Sequence, residues 1–180
     1  MSSNVALDRL RRAHERRQAV RQERRLEVIE SELGVKARLA AREPIRLCLL
    51  QGVVDGRTLR GGTATILMAR GASAEALTAA EFAVDALSLG VKEVSLEEIS
   101  LEALAERAFE MSATASAARV EPAYARKLLR EAAAWAGRFG VGAHADFAAV
   151  EQIFGDVDAS ACVAAFSFGH NGKPVEPQPA

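Results

Sequence analysis

The densest set of side chains capable of chemistry lies near the C-terminus, where four residues that could bind a metal fall within fifteen positions: His144, Asp146, Asp156 and Asp158. Carboxylate oxygens with one imidazole suit a hard or borderline divalent cation such as Mg²⁺, Mn²⁺ or Fe²⁺. A short helix between the two pairs could bring them toward one point. A metal-dependent, hydrolase-like enzyme would use these four residues, with Asp85 as a further candidate.

The same aspartates also fit an ordinary structural role, which we favour. Asp146 and Asp158 each precede a predicted helical turn, and aspartate at that position commonly caps the first amides. Asp156 follows Gly155, a residue type that ends helices, and so falls in a turn. The pattern therefore predicts capping ahead of metal binding, and we expect no bound cofactor.

A second polar position is Asp85, which stands in an apolar stretch seven residues before Lys92. A carboxylate taken out of water needs a partner, so we predict a structural pair between Asp85 and Lys92. No nucleophile or oxyanion-hole motif accompanies Asp85 as a general base. The chain also lacks the GxGxxG, GxxxxGK[ST], HExxH and GxSxG signatures. These observations leave open whether the protein is an enzyme, and the missing motifs weigh against an enzyme.

The strongest charge pattern is at the N-terminus. Residues 1–42 hold 11 Lys/Arg against 6 Asp/Glu, a net +5, whereas residues 43–180 hold 12 against 18, a net −6. Arginine binds phosphate with a two-pronged geometry, so this segment could neutralise several phosphates of RNA or DNA, or contact an acidic protein surface. Folding back onto the acidic body of the same chain is the alternative. Eight arginines carry the pattern: Arg9, Arg11, Arg12, Arg16, Arg17, Arg21, Arg24 and Arg25.

Three regions follow from the spacing of helix formers and breakers. Residues 5–33 contain no Gly or Pro and predict one long basic helix that ends at Gly34. We therefore expect an Arg-rich helical arm over residues 1–42, a single globular domain over 43–176 and a frayed tail over 177–180.

Within the domain we predict an α+β fold, a small antiparallel sheet packed by helices. Apolar runs at 45–51 and 63–69 predict two antiparallel strands, while 77–94 fits a helical and a strand period equally. Further along we expect a helix over 95–111 with a capping box at Ser95, followed by a linker over 112–118. A second helix is expected over 123–139, after Pro122. We also expect a capped turn over 147–154 and a final β segment at 166–172.

The bulk composition sets the class of protein. With 49% hydrophobic and 26% charged residues and a mean hydropathy of +0.02, the chain is typical of a globular domain in water. No apolar run is long enough to span a membrane, and the N-terminus lacks an apolar signal, so we predict a cytoplasmic protein without a membrane partner. Cys48 and Cys162 stand alone in apolar surroundings, which indicates buried free thiols rather than a disulfide or a zinc site.

Several short motifs between residues 45 and 175 resemble those of a bacterial protein family that has no established activity. The shared pattern is F-x-V-D, L-G-V-K and a tail of the form G-F-x-P-H-P-D-[FY], F-G-D-[IV]-D and F-G-x-[DN]-G-K-P. The resemblance implies a strand around F-x-V-D. This chain has Ala143, Ala145 and Ala159 where the pattern has proline, so we expect looser loops there. Six segments carry the likeness: FAVD at 82–85, LGVK at 89–92, FGVGAHADF at 139–147, IFGDVD at 153–158, FSFG at 166–169 and NGKP at 171–174.

Three functions remain open at this point. The first is an accessory protein whose Arg-rich helix contacts nucleic acid or an acidic partner. The second is the metal-dependent enzyme of the C-terminal cluster. The third is a structural protein–protein interaction module that binds no nucleic acid.

Overall fold

A five-stranded antiparallel sheet forms the centre of the molecule. The computed structural model describes residues 31–54, 59–114 and 116–175, together with Arg17 and Val20. Along the chain the strands are β1 (Ile45–Val54), β2 (Leu59–Arg70), β3 (Leu77–Asp85), β4 (Gly90–Ile99) and β5 (Ala117–Arg119), and their order across the sheet is β4-β3-β2-β1-β5.

Four helices cover the sheet, which confirms the predicted α+β class. None of the helices in the described residues is long and apolar enough to cross a membrane. The predicted long N-terminal helix lies outside the described residues, apart from Arg17 and Val20, which are both helical. The helices are α1 (Glu32–Ala40), α2 (Leu101–Thr114), α3 (Pro122–Arg138) and α4 (Phe147–Val150), and α4 runs directly into a 3-10 turn, Glu151–Phe154.

Both faces of the sheet are buried, which explains why residues 77–94 fitted two periods. In β3, Ala79 packs toward one face while Ala80 and Phe82 pack toward the other. A strand that is covered on both sides carries apolar residues at successive positions and loses its alternation. The structure settles the alternative: 77–85 is a strand, in agreement with the family resemblance, and a turn at 86–89 leads into β4.

The predicted helix over 95–111 is wrong at its start. Ser95–Ile99 belongs to β4, where Leu96 pairs with Ala80 of β3. The apolar residues of this segment fit both the helical and the strand period, and the pairing with β3 makes the segment a strand. The helix begins instead at Leu101, where the Ser100 hydroxyl accepts a hydrogen bond from the Ala103 amide (3.2 Å). It runs on to Thr114, so the predicted linker over 112–118 is divided between α2 and β5.

The predicted helix stop at Gly34 is also wrong. The Ser31 side chain accepts a hydrogen bond from the Gly34 amide (3.3 Å), so Ser31 caps the start of α1 and Gly34 lies buried in its first turn. Ala37 and Ala40 of this helix are buried against the sheet. α1 therefore packs on the same core as the elements that follow residue 43.

Other local predictions are confirmed. β1 pairs antiparallel with β2, and α3 begins at Pro122. Asn171 and Gly172 both have positive φ in a tight turn closed by a bridge between His170 and Lys173. Of the two free thiols only Cys48 is buried, which raises its pKa to about 12, while Cys162 is half-buried.

Two separate cores result from this arrangement. On one face of the sheet α2 covers a small apolar cluster through Leu104 and Met111. On the other face α1, α3 and α4 enclose a larger cluster around Phe82, Phe154 and Leu128. The candidate sites lie at the rim of the larger core.

Candidate functional site

A basic cleft opens on the described surface between α1, β2 and the 151–156 turn. Its volume is about 720 Å³, which is within the range of ligand sites. Arg42 is exposed at its mouth, and Glu43 and Asp156 are the acidic residues beside it. The cleft thus combines three arginines with two carboxylates. The lining residues are Arg38, Ala41, Arg42, Glu43, Pro44, Arg70, Gln152, Gly155 and Asp156.

Arg70, at the end of β2, forms the floor of the basic cleft and is only 5% exposed. Its Nη1 donates to the carbonyl oxygens of Ala41 (2.9 Å) and Glu43 (2.8 Å), and its Nη2 donates to that of Phe154 (2.9 Å). Its Nε is buried and finds no hydrogen-bond acceptor within the described residues. Burial lowers the pKa of Arg70, and the nearby Asp156 opposes that effect. Arg70 therefore fixes the chain after α1 to the turn after α4.

A second buried arginine, Arg126 of α3, holds the same turn from the other side. Its Nε donates to Glu151 Oε1 (2.6 Å), and its Nη1 donates to the carbonyl oxygens of Gly155 (2.8 Å) and Val157 (2.6 Å). Arg130 donates to the same Glu151 oxygen (2.7 Å). Arg126 and Glu151 are 8% and 6% exposed, so this is a fully hydrogen-bonded buried ion pair.

The turn Phe154–Val157, called here the arginine-bound turn, is therefore a rigid wall of the cleft. Gly155 has φ +60°, and a side chain at that position would lie 3.1–3.2 Å from Ala41. A glycine allows both the backbone conformation and the close approach. The FGD segment of the family-like tail thus has a structural explanation.

The four residues of the predicted metal cluster are dispersed. No group of three or more His, Cys, Asp or Glu side chains in the described part of the chain is placed to hold a metal ion. His144 and Asp146 lie near each other (Nδ1 to Oδ2, 3.9 Å), and His144 lines a different hollow beside Glu81 and Glu93. Asp156 faces the basic cleft. Among the described residues these four side chains therefore form no common metal site.

The predicted capping roles are confirmed for one aspartate and wrong for the other. Asp158 accepts hydrogen bonds from the Ser160 amide (2.8 Å) and hydroxyl at the start of the turn Ala159–Ala161. These bonds lower the pKa of Asp158. Asp146 stands at the N-cap position of α4, but its side chain makes no capping hydrogen bond. Its backbone is helical there, whereas a capping residue normally has extended backbone.

The predicted pair between Asp85 and Lys92 is not formed. Asp85 ends β3, and its Oδ1 accepts from the amides of Leu87 (2.8 Å) and Ser88 (2.9 Å) in the turn to β4. Lys92 lies instead 4.0 Å from Glu93. An aspartate at the first position of a turn satisfies its carboxylate locally and does not need a distant cation.

The residues that sequence reasoning missed are Arg70, Arg126 and Glu151. Glu151 stands in the apolar run AAVEQIF, the same signal that drew attention to Asp85. Arg70 follows the apolar strand TILMA and Arg126 lies on the core side of α3. A charged residue at a core position could have indicated a buried ion pair. It could not have indicated which two residues form that pair.

Seven of the eight arginines predicted to bind nucleic acid lie outside the described residues: Arg9, Arg11, Arg12, Arg16, Arg21, Arg24 and Arg25. The eighth, Arg17, is helical and exposed. Comparisons with models of protein families, with curated proteins and with solved structures find no match for this chain. The family resemblance of the tail therefore stays a prediction.

Proposed function

We propose that this protein binds the phosphate backbone of nucleic acid through two basic regions. They are the N-terminal segment, residues 9–25, and the basic cleft at the end of α1. The observation that carries the proposal is the place of the cleft: its arginines Arg38 and Arg42 follow the Arg-rich segment in sequence after α1 and extend its charge onto the folded domain.

The side chains of the cleft suit a phosphate group better than an apolar ligand. Arg42 is exposed, and arginine donates two hydrogen bonds at once to a phosphate. Arg70 is committed to three carbonyl oxygens, so its role is to hold the cleft and to add positive potential. Glu43 and Asp156 reduce the net charge and favour weak, salt-sensitive binding.

The basic regions offer few side chains that could recognise bases. Residues 1–42 contain no Phe, Trp or Tyr, so stacking on bases is not available to the arm. We therefore expect binding to depend on charge and on the shape of the nucleic acid, with little preference for sequence.

The test is fluorescence anisotropy of the full chain with labelled duplex DNA and single-stranded RNA over a salt series. Replacing Arg42 by Gln removes one phosphate contact, and the slope of log K against log salt should fall by about 0.9 on duplex DNA. Arg119→Gln is the matched control, because Arg119 is exposed on the edge strand β5, away from the cleft lining.

An equal loss in both variants would mean that net charge, not the cleft, determines binding. No binding by the unaltered chain at low salt would overturn the proposal. Binding to an acidic protein but to neither nucleic acid would mean that the partner of these basic regions is a protein.

A further inference from the structure

The outward face of α2 carries an apolar residue that no part of the described structure covers. Phe109 is 74% exposed, and Leu101, eight positions earlier on the helix, is 50% exposed. Ala105 lies between them at helical spacing and is also exposed. Phenylalanine is usually buried, so an apolar ridge along a solvent-facing helix indicates a contact surface.

The charge beside this ridge has one sign. Glu102 and Glu106 are exposed next to Phe109 on the same helix face, and neither has an ion-pair partner among the described residues. Arg107, the basic residue of α2, points toward the sheet, where it pairs with Glu97 and lies 3.6 Å from Glu81. The outer face of α2, defined by Leu101, Glu102, Ala105, Glu106 and Phe109, is therefore apolar and acidic.

The N-terminal segment has the complementary character. Arg17 is helical and exposed, and Val20, three residues later, is helical and 49% exposed. Residues three apart on a helix are neighbours, so Arg17 and Val20 form an apolar and basic pair. Glu106 and Phe109 form the matching apolar and acidic pair at the same spacing.

Both apolar residues of this match are exposed in a single chain, so neither covers the other there. We propose that the outer face of α2 binds the N-terminal segment of a second copy of this chain. Val20 would pack on Phe109 while the arginines of residues 9–25 face Glu102 and Glu106. The association needs no nucleic acid, and nucleic acid would compete with it for the same arginines.

Sedimentation velocity of the full chain, without nucleic acid, over a wide range of protein concentration tests this proposal separately from the proposed function. We expect a reversible monomer–dimer equilibrium that weakens at high salt. Glu102→Arg/Glu106→Arg should raise the dissociation constant about tenfold or more. Glu32→Arg/Glu93→Arg makes the same change of net charge at exposed positions outside α2 and should leave association nearly unchanged.

A mixing experiment identifies the two contacting surfaces. Arg16→Glu/Arg17→Glu should also abolish association, and a mixture of this variant with Glu102→Arg/Glu106→Arg should form a heterodimer because opposite charges face each other again. Phe109→Ser should weaken association at high salt as well as at low salt. A monomer at every concentration, equal loss in the Glu32/Glu93 control, or no complex on mixing would each overturn the proposal.

Discussion

The arginines of this protein fall into two groups that differ in what surrounds them. Arg70 and Arg126 are buried, and between them they donate to five backbone carbonyl groups and one carboxylate. Arg17 and Arg42 are exposed, and their side chains form no hydrogen bond or ion pair with another described residue. The same side chain therefore builds the fold in one region and is left available for an anionic partner in the other.

This contrast shows that charge density and structural importance are separate properties. The eight arginines of residues 9–25 stand out in the sequence, whereas Arg70 and Arg126 are isolated within apolar runs. A buried charge is expensive unless it is compensated by hydrogen bonds, so an isolated arginine in a core is held by several acceptors.

The largest expected effect comes from Arg126→Met. The change leaves Glu151 buried with only Arg130 beside it and removes the donor to Gly155 and Val157, which should lower the free energy of unfolding by about 3–5 kcal/mol. Urea unfolding followed by the fluorescence of Trp135, the sole tryptophan, measures it. In Arg126→Met/Glu151→Met part of the stability should return; a double variant less stable than the single one would contradict a buried ion pair.

Arg70→Met should have the next largest effect. Three carbonyl oxygens, those of Ala41, Glu43 and Phe154, lose their donor, and we expect a loss of about 2 kcal/mol. Arg70→Lys should recover only part of this, because an ammonium group lacks the planar fork of donors. Full recovery with Lys would mean that the positive charge matters and the carbonyl contacts do not.

Arg130→Gln should have a small effect on stability. Arg130 is intermediate between the buried and the exposed arginines. The Arg130 side chain is 51% exposed, and Glu151 keeps its bond to Arg126 when Arg130 is removed. We expect a loss below about 1 kcal/mol in the same unfolding measurement. A loss as large as that of Arg126→Met would place Arg130 among the structural arginines.

Much of the fold could be predicted because its signals are local. Pro122 starts α3, Asp158 caps a turn, and Asn171–Gly172 forms a tight turn, each through the conformational preference of one or two residues. The antiparallel pairing of β1 with β2 follows from two apolar runs joined by a Gly-rich segment.

The failures occurred where distant contacts decide between local alternatives. Leu96 fits a helix or a strand, and its pairing with Ala80 selects the strand. Gly34 can end a helix, but the Ser31 cap places it at the start of one. The arginine-bound turn next to Asp158 is held by two arginines from β2 and α3, which no spacing within the tail could reveal.

The most direct test of the division between the two groups of arginines is the salt dependence of duplex DNA binding by Arg16→Gln/Arg17→Gln/Arg21→Gln. The account predicts a stability within about 0.5 kcal/mol of the unaltered chain, because Arg17 is exposed and the buried arginines Arg70 and Arg126 keep their contacts. It also predicts weaker binding and a slope of log K against log salt smaller by about 2.7. Unchanged binding and slope, or a chain that loses its fold, would contradict it.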